Sequence, residues 1–330
     1  MNVSRTEVGI TAGHAGQPPA TVHEYTLDAG PALCVRVWTY GATLVEARVP
    51  DRNGRSRNVT LRLPDLAAYE DRRRNPYLGA TLGRFARCVA QGRLRLGDRE
   101  HRLDRNIGPH HFHGGSIGFD RYVWSAEAGR EGDELVLRLR LESPDGDQGY
   151  PGRLSAEAAY GVRADGRLSF RYRASATRST IVGLTNHAYW NLAGEGRIDG
   201  HTLSVNAGRV VGANEELIPR GPLLETARTE LDFRTPRPLG AIPLDHCFVL
   251  DGPAKAAELH DLRSGRFLTV RTDQPGLAVH TADSFETPRA GICLQTGALP
   301  DAPNRPDFPS ARLEPGECHH HETLHEFSVR

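Results

Sequence analysis

Apolar and polar residues alternate with a period of two along much of the chain. Residues Glu134–Leu141 read E-L-V-L-R-L-R-L, and the second half of this run alternates strictly, as in a strand with one buried face. Leu33–Trp38 and Val45–Val49 alternate in the same way. The pattern therefore predicts β-strands as the main element of the fold.

Turn residues divide these runs into predicted hairpins. Arg93–Leu103 contains two short runs around a Gly-Asp pair, and Leu154–Val162 and Arg167–Ala174 flank an Ala-Asp-Gly turn. Helical periodicity is nearly absent, and we expect only one or two helical turns each at Asp65–Tyr69 and Ala254–Leu259. Because strands follow one another without intervening helices, we predict an all-β antiparallel sandwich or barrel. No composition break divides the chain, so residues 1–330 are predicted to form one domain.

Composition excludes several classes of partner. The 330 residues include 41 Lys and Arg against 41 Asp and Glu, a neutral balance that argues against nucleic-acid binding. No apolar stretch reaches membrane length, and the first residues have no apolar core of a secretion signal. The five cysteines are an odd number, which indicates free thiols. We therefore expect a cytoplasmic protein with no nucleic-acid or membrane partner.

Three polar clusters interrupt the strand pattern and are candidate sites. His110–Gly115 reads H-H-F-H-G-G, a tight loop in which backbone can approach a ligand, and Gln295–Asn304 is a loop dense in turn residues. Thr185–Leu192 reads T-N-H-A-Y-W-N-L, and aromatic faces beside hydrogen-bonding side chains suit a sugar. Cys318–His321 resembles a metal-binding tract, but neighbours on a strand point to opposite faces. We therefore predict no metal and no cofactor.

Short motifs occur in a fixed order along nearly the whole chain. They are Tyr40–Thr43, Val49–Gly54, Asn75–Gly79, Gly83–Ala86, Phe112–Gly115, Ser143–Gly146, Thr185–Gly194, Leu244–His246, Pro300–Asn304, Leu313–Gly316 and Glu326–Val329. In number and order they resemble those of the aldose 1-epimerase (galactose mutarotase) family. The resemblance implies a large antiparallel β-sandwich of the galactose mutarotase type, in agreement with the alternation.

The resemblance also implies an isomerase and assigns roles to residues. Mutarotases interconvert sugar anomers: a base removes the proton of the anomeric hydroxyl while an acid protonates the ring oxygen, and each such group typically contributes about 10²–10⁴-fold. The family acid falls on His187, and a sugar-holding histidine falls on His113. An aspartate that binds sugar hydroxyls falls on Asp245.

The family base is replaced in this chain. The family has a glutamate in an L-E-T-Q segment, and here the segment is Leu294–Gly297, with Gln295 in the glutamate's place. An amide donates and accepts hydrogen bonds but takes no proton near neutrality. The resemblance therefore implies weakened or redirected chemistry.

Substrate-binding positions also depart from the family pattern. The substrate-binding arginine is replaced by Cys88, while Arg87 takes the place of the preceding asparagine. Ala278 stands at a sugar-contacting glutamine, His280 at an aromatic position, and Cys247 at an asparagine. We include Arg87, Cys88, His280 and Gln295 with Asp245 among the predicted substrate-binding residues. Fewer polar partners favour a less hydroxylated or bulkier ligand.

Three functions remain open. The first is an active aldose 1-epimerase that uses His280 or His113 as its base. The second is an isomerase, cyclase or lyase of the same fold that acts on a non-sugar or modified-sugar metabolite in specialised metabolism, with His187 and His113 as catalytic pair. The third is a non-catalytic carbohydrate binder. All three predict a small-molecule ligand and a monomer or homodimer.

Cysteines near the predicted site allow a further alternative. Cys88, Cys247 and Cys293 lie at or close in sequence to pocket positions of the family. A nucleophilic thiolate needs a pKa lowered by a neighbouring cation, whereas small buried cysteines are inert.

Overall fold

The computed structural model describes residues 1–14, 17–252 and 254–330, with Ala254 described by its backbone alone. The strands of the N-terminal third are β1 (Asn2–Ile10), β2 (Thr21–Asp28), β3 (Cys34–Trp38), β4 (Thr43–Pro50), β5 (Ser56–Asn58), β6 (Thr81–Leu82), β7 (Cys88–Val89), β8 (Arg93–Leu96), β9 (Arg99–Arg102) and β10 (His111–Phe112). The strands of the central third are β11 (Ser125–Glu131), β12 (Glu134–Ser143), β13 (Leu154–Arg163), β14 (Arg167–Ala176), β15 (Thr180–Ile181), β16 (Thr185–Asn186), β17 (Tyr189–Trp190), β18 (Thr202–Val205) and β19 (Arg209–Val210).

The remaining strands and the short helices complete the chain. The strands are β20 (Leu224–Glu225), β21 (Arg237–Pro238), β22 (Asp245–Val249), β23 (Ala254–His260), β24 (Arg266–Thr272), β25 (Gly276–His280), β26 (Ile292–Gly297), β27 (Arg312–Leu313) and β28 (His319–Val329). The helices are α1 (Leu66–Glu70) and 3₁₀ turns at Ala90–Gly92, Phe119–Arg121, Asp147–Gly149 and Ala302–Asn304. No helix in the described part of the chain has the length and apolar composition needed to cross a membrane.

Three large antiparallel sheets form the architecture. The nine-stranded sheet has the order β11-β12-β13-β14-β28-β24-β23-β18-β21, the six-stranded sheet β17-β26-β25-β22-β19-β20, and the five-stranded sheet runs β1 to β5 in sequence order. The ladders of these sheets are antiparallel throughout. The predicted fold class, an all-β antiparallel sandwich, is confirmed.

The core lies between the nine-stranded and six-stranded sheets. Trp190 on β17 contacts the rings of His325 and Phe327 on β28, with centroids 5.0 and 5.4 Å away. Leu294 and Leu277 are buried in the same cluster from the six-stranded side. One face of the six-stranded sheet therefore packs in the core, and its other face can carry a site.

Local sequence signals are borne out where they set strands and turns. β8 and β9 pair through Arg95 and Glu100 around the predicted Gly-Asp turn, and β13 pairs with β14 in the predicted hairpin. The expected helical turn is α1, where the Asp65 carboxylate accepts a hydrogen bond from the Ala68 N–H at 2.8 Å.

The second predicted helical turn, at Ala254–Leu259, is wrong. This segment is strand β23, paired with β24 on one side and β18 on the other. Its residues favour helix locally, but a register shift between Lys255 and Ala257 brings Leu259 fully into the core. Pairing on both edges and this burial outweigh the weak local helix propensity.

Candidate active site

The face of the six-stranded sheet that points away from the core carries two rows of side chains, and we call it the site face. Residues two apart in a strand share a face, and Leu294, Val279 and Phe248, which point to the other face, are core residues. The first row, across β17, β26, β25 and β22, consists of Tyr189, Cys293, His280 and Asp245. The second row consists of Gln295, Ala278 and Cys247. Register thus places three predicted site residues on one surface.

His187 lies on the loop between β16 and β17. Its backbone N–H donates to the carbonyl of Ala80 at 2.9 Å, and its carbonyl accepts from the N–H of Gly79 at 3.0 Å. The ring is buried, with Nδ1 3.5 Å from the Sγ of Cys293. The loop therefore holds this imidazole over the first row.

His113 is fixed by a reciprocal pair of hydrogen bonds with Arg87. Its backbone N–H donates to the Arg87 carbonyl at 3.1 Å, and its Nδ1 accepts from the Arg87 backbone N–H at 3.0 Å. A Cβ on Gly114, whose φ is +91°, would lie 1.8 Å from the carbonyl oxygen of Gly83. Gly114 thus allows a close approach between two backbone segments, whereas the sequence predicted approach to a ligand.

Four aromatic rings form a continuous line along the site. The centroids of His113 and His187 are 5.3 Å apart, those of His187 and Tyr189 5.2 Å, and those of Tyr189 and His280 5.6 Å. The Tyr189 hydroxyl is 2.8 Å from Nδ1 of His280, which also accepts from the backbone N–H of Ala282 at 3.3 Å. Three histidines are therefore within reach of one bound molecule.

Hydrogen bonding separates these imidazoles into two kinds. Nδ1 of His113 and Nδ1 of His280 each accept a backbone N–H, so a neutral ring at either position carries its proton on Nε2 and is a donor. No backbone N–H donates to the ring of His187 in the described residues, and its Nδ1 lies 3.5 Å from the Sγ of Cys293, so this ring is free to carry its proton on Nδ1. In that tautomer Nε2 of His187 is an acceptor.

Burial keeps all three rings neutral near pH 7. It lowers the pKa of His187 to about 3 and holds the pKa of His113 well below its usual value. Burial also lowers the pKa of His280, although the carboxylates of Asp245 and Asp283 act against it. None of these histidines therefore stores a proton in the free protein at neutrality.

Arg87 and Cys88 both face the cleft, although they are neighbours in sequence. In a regular strand they would point to opposite faces. Arg87 instead has a left-handed backbone with φ +77°. Its guanidinium lies beside the Cys247 thiol and near the Asp245 carboxylate. Arg87 thus supplies a cation close to the position where the family places its arginine.

Arg87 lines two cavities. A cavity of about 320 Å³ is lined by Arg87, Cys88, Asp245 and Cys247 among others. A second cavity, of about 10 Å³, is lined by Arg87, Cys247 and Gln295, and its lining includes no Asp or Glu. The smaller volume is close to that needed for one water molecule. No carboxylate replaces the missing base there.

Tyr77 also belongs to the site, although it is not among the site residues predicted from the sequence. Its ring lies 4.8 Å from His113 and is stacked 6.1 Å from His187. The Arg72 guanidinium lies 4.2 Å above the Tyr77 ring and forms an ion pair with Asp120 at 2.5 Å. The residue falls in the Asn75–Gly79 motif, which was the available signal.

The predicted site residues come together around the site face: His113, His187, Asp245, Arg87, Cys88, His280 and Gln295. Burial raises the pKa of Cys88 to about 12 and also raises those of Cys247 and Cys293, so these sulfurs are thiols. The described residues contain no group of three His, Cys, Asp or Glu side chains able to hold a metal ion.

The fold and this cleft define the class of protein. The family model for aldose 1-epimerase matches residues 23–326, and the chain belongs to that family. Over 348 residues it is 35% identical to galactose mutarotase of Bos taurus, covering 98% of this chain and 99% of that protein. Over 330 residues it is 32% identical to aldose 1-epimerase of Escherichia coli K12, covering 92% and 94%. The structure of galactose 1-epimerase from Lactobacillus acidophilus NCFM superposes with a TM-score of 0.88 at 28% identity, covering 99% of each chain.

Proposed function

We propose that this protein is an aldose 1-epimerase in which one imidazole, that of His187, carries the proton in both directions. The family relatives are isomerases named for galactose or aldoses. The hemiacetal would lie over the first row, between His187 and Asp245. The observation that carries the proposal is the hydrogen-bonding difference among the three histidines.

A single shuttle removes the need for a carboxylate. The anomeric hydroxyl and the ring oxygen are bonded to the same carbon, so one nitrogen can reach both. Nε2 of His187 takes the proton from the anomeric hydroxyl, and the imidazolium returns it to the ring oxygen as the ring bond breaks. Closure on the other carbonyl face reverses the transfer and gives the second anomer.

The remaining groups hold the substrate and stabilise charge. Nε2–H of His113 and Nε2–H of His280 donate hydrogen bonds to substrate oxygens, and Asp245 accepts from hydroxyls. Arg87 places a positive charge where the ring-opening step develops a negative oxygen. Because Arg87 stabilises this negative charge, a base as weak as the His187 imidazole can open the ring more readily.

The test is anomer exchange measured by NMR on freshly dissolved α-galactose and α-glucose. We expect the wild type to exceed the buffer rate and His187→Ala to lose about 10²-fold or more. His320→Gln, on the exposed side of β28, is the matched control and should retain the full rate. Because the pKa of His187 is about 3, the wild-type rate should be flat from pH 5 to 8 and fall only in stronger acid, as Nε2 becomes protonated.

Two results would remove the proposal. An unchanged rate in His187→Ala excludes the shuttle. Rates equal to buffer for every sugar, with ligand-induced thermal stabilisation, support a non-catalytic binder instead.

We also propose a cytoplasmic location. All five cysteines are free, which suits a reducing compartment. The single domain and the monomer or homodimer stay predictions.

A further inference from the structure

The larger cavity is chemically two-sided. Its polar groups, chiefly Arg87 and Asp245, lie on the wall shared with the site face. The apolar part of the lining, which we call the apolar wall, includes Val211, Leu217, Leu224 and Leu231, and the lining also contains Asn214 and His246. At about 320 Å³ the cavity falls in the size range of small-molecule sites.

Sugar hydroxyls do not suit the apolar wall. A hydroxyl moved there leaves its water partners and gains no donor or acceptor. An alkyl or aryl group, in contrast, gains free energy in proportion to the apolar area that it removes from water. The wall therefore favours a substituent that is not itself a sugar.

The open side of the cavity exposes leucine. Leu224 is 51% exposed, so this part of the lining can be reached from solvent. Leu217 has a left-handed backbone with φ +61°, and its carbonyl accepts a hydrogen bond from the Cys88 thiol at 3.3 Å. This bond ties Leu217 to Cys88, the first residue of β7, which directly follows Arg87.

We propose that this cavity is a subsite for an apolar substituent of the substrate. The inference rests on the proposed function and narrows it: the substrate is a reducing sugar or related hemiacetal that carries an alkyl or aryl group. Asp245 lines this cavity and also stands in the first row of the site face, so the substituent would lie in the cavity and the reacting carbon on the side of His187. Continuity with the site, rather than a flat outer surface, is the reason to assign the cavity to the substrate.

The experiment compares galactose with its mono-O-benzyl ethers that keep a free anomeric hydroxyl. Affinity is measured by titration calorimetry and turnover by NMR anomer exchange. We expect at least one ether to bind tenfold or more tightly than galactose in the wild type. Leu224→Glu and Ala213→Trp, both at exposed lining positions, should remove this advantage and leave galactose affinity unchanged. Leu262→Glu, at a residue 60% exposed that does not line the cavity, is the matched control and should keep the advantage.

The outcomes separate this inference from the proposed function. Turnover of galactose with no benzyl advantage, or an advantage that survives both lining variants, overturns the subsite alone. Tight benzyl-ether binding without turnover of any compound supports the subsite and overturns the proposed function. A wild-type dimer that dissociates in Leu224→Glu shows that a second copy covers the cavity, and overturns the subsite.

Discussion

Two buried histidines lie against opposite faces of the six-stranded sheet, His321 of β28 on the core face and His187 on the site face, and their nitrogens are used in opposite ways. On the core face, Nδ1 of His321 is 2.8 Å from the Leu184 carbonyl, and Nε2 is 3.1 Å from Thr296 Oγ1 and 2.9 Å from Thr323 Oγ1. On the site face, Nε2 of His187 has no protein partner in the described residues. Both rings are buried and neutral, with pKa values lowered to about 4 and about 3. Burial alone therefore does not single out the proposed shuttle; the ring must also have an unpartnered nitrogen and lie at the site face.

The largest expected effect is a loss of free energy of unfolding on replacing His321, the histidine on the core face. His321→Asn leaves partners without hydrogen bonds, at about 1–3 kcal/mol for each buried group left unpaired. Urea unfolding should show this loss of free energy of unfolding, while the rate per folded molecule stays unchanged. The neighbouring exposed His320→Gln is the control and should unfold like the wild type. A loss of rate in folded His321→Asn would show that the two faces are not independent.

A change in rate, without a change in core packing, is expected from the site face. Gln295→Glu restores a carboxylate at the position where the family has one. We expect sugar anomer exchange to increase about tenfold or more, since a positioned base contributes at least that much. Polarimetry on α-galactose checks this, with Gln91→Glu as the control, because Gln91 is an exposed residue of the 3₁₀ turn Ala90–Gly92 and lines neither cavity beside Arg87.

An unchanged rate in Gln295→Glu would leave the shuttle standing and would have a steric explanation. It would mean that the carboxylate cannot reach the anomeric hydroxyl, because the cavity beside position 295 holds only about 10 Å³. Combining the variant with Arg87→Ala tests whether the arginine side chain is the obstruction.

The contrast between the core face and the site face also explains which features could be predicted from the sequence. Core-face positions follow the period of two, so strands such as β12 and the hairpin β13–β14 were predicted within a few residues. Ala254–Leu259 failed because its helix-favouring composition is overruled by pairing with distant strands. Family motifs located His187, His113, Asp245 and the replaced base.

Other parts of the site depend on long-range geometry. The alignment of Asp245 with His280 and Cys293 is set by the register of strands separated by loops, which no local pattern encodes. The inward turn of Arg87 depends on a left-handed backbone; the family's asparagine at that position was a signal, because asparagine adopts that conformation readily. The hydrogen bonds that decide each imidazole's tautomer appear only in the folded chain.

The smallest effect is expected from a residue that looks chemically prominent. Cys293 lies in the first row with its sulfur 3.5 Å from Nδ1 of His187, an arrangement typical of a thiolate–imidazole pair. Yet burial raises the pKa of this thiol, and the positive charge of Arg87 opposes this shift without reversing it. A buried thiol that stays protonated packs as a small apolar group.

Cys293→Ala should therefore change the anomer-exchange rate by less than about threefold, far below the 10² expected of a proton-transfer group. The shuttle gives the same expectation, since the proton moves through Nε2 on the other side of the His187 ring. A hundredfold loss in a stably folded Cys293→Ala, together with inactivation of the wild type by iodoacetamide, would instead make the cysteine the reacting group.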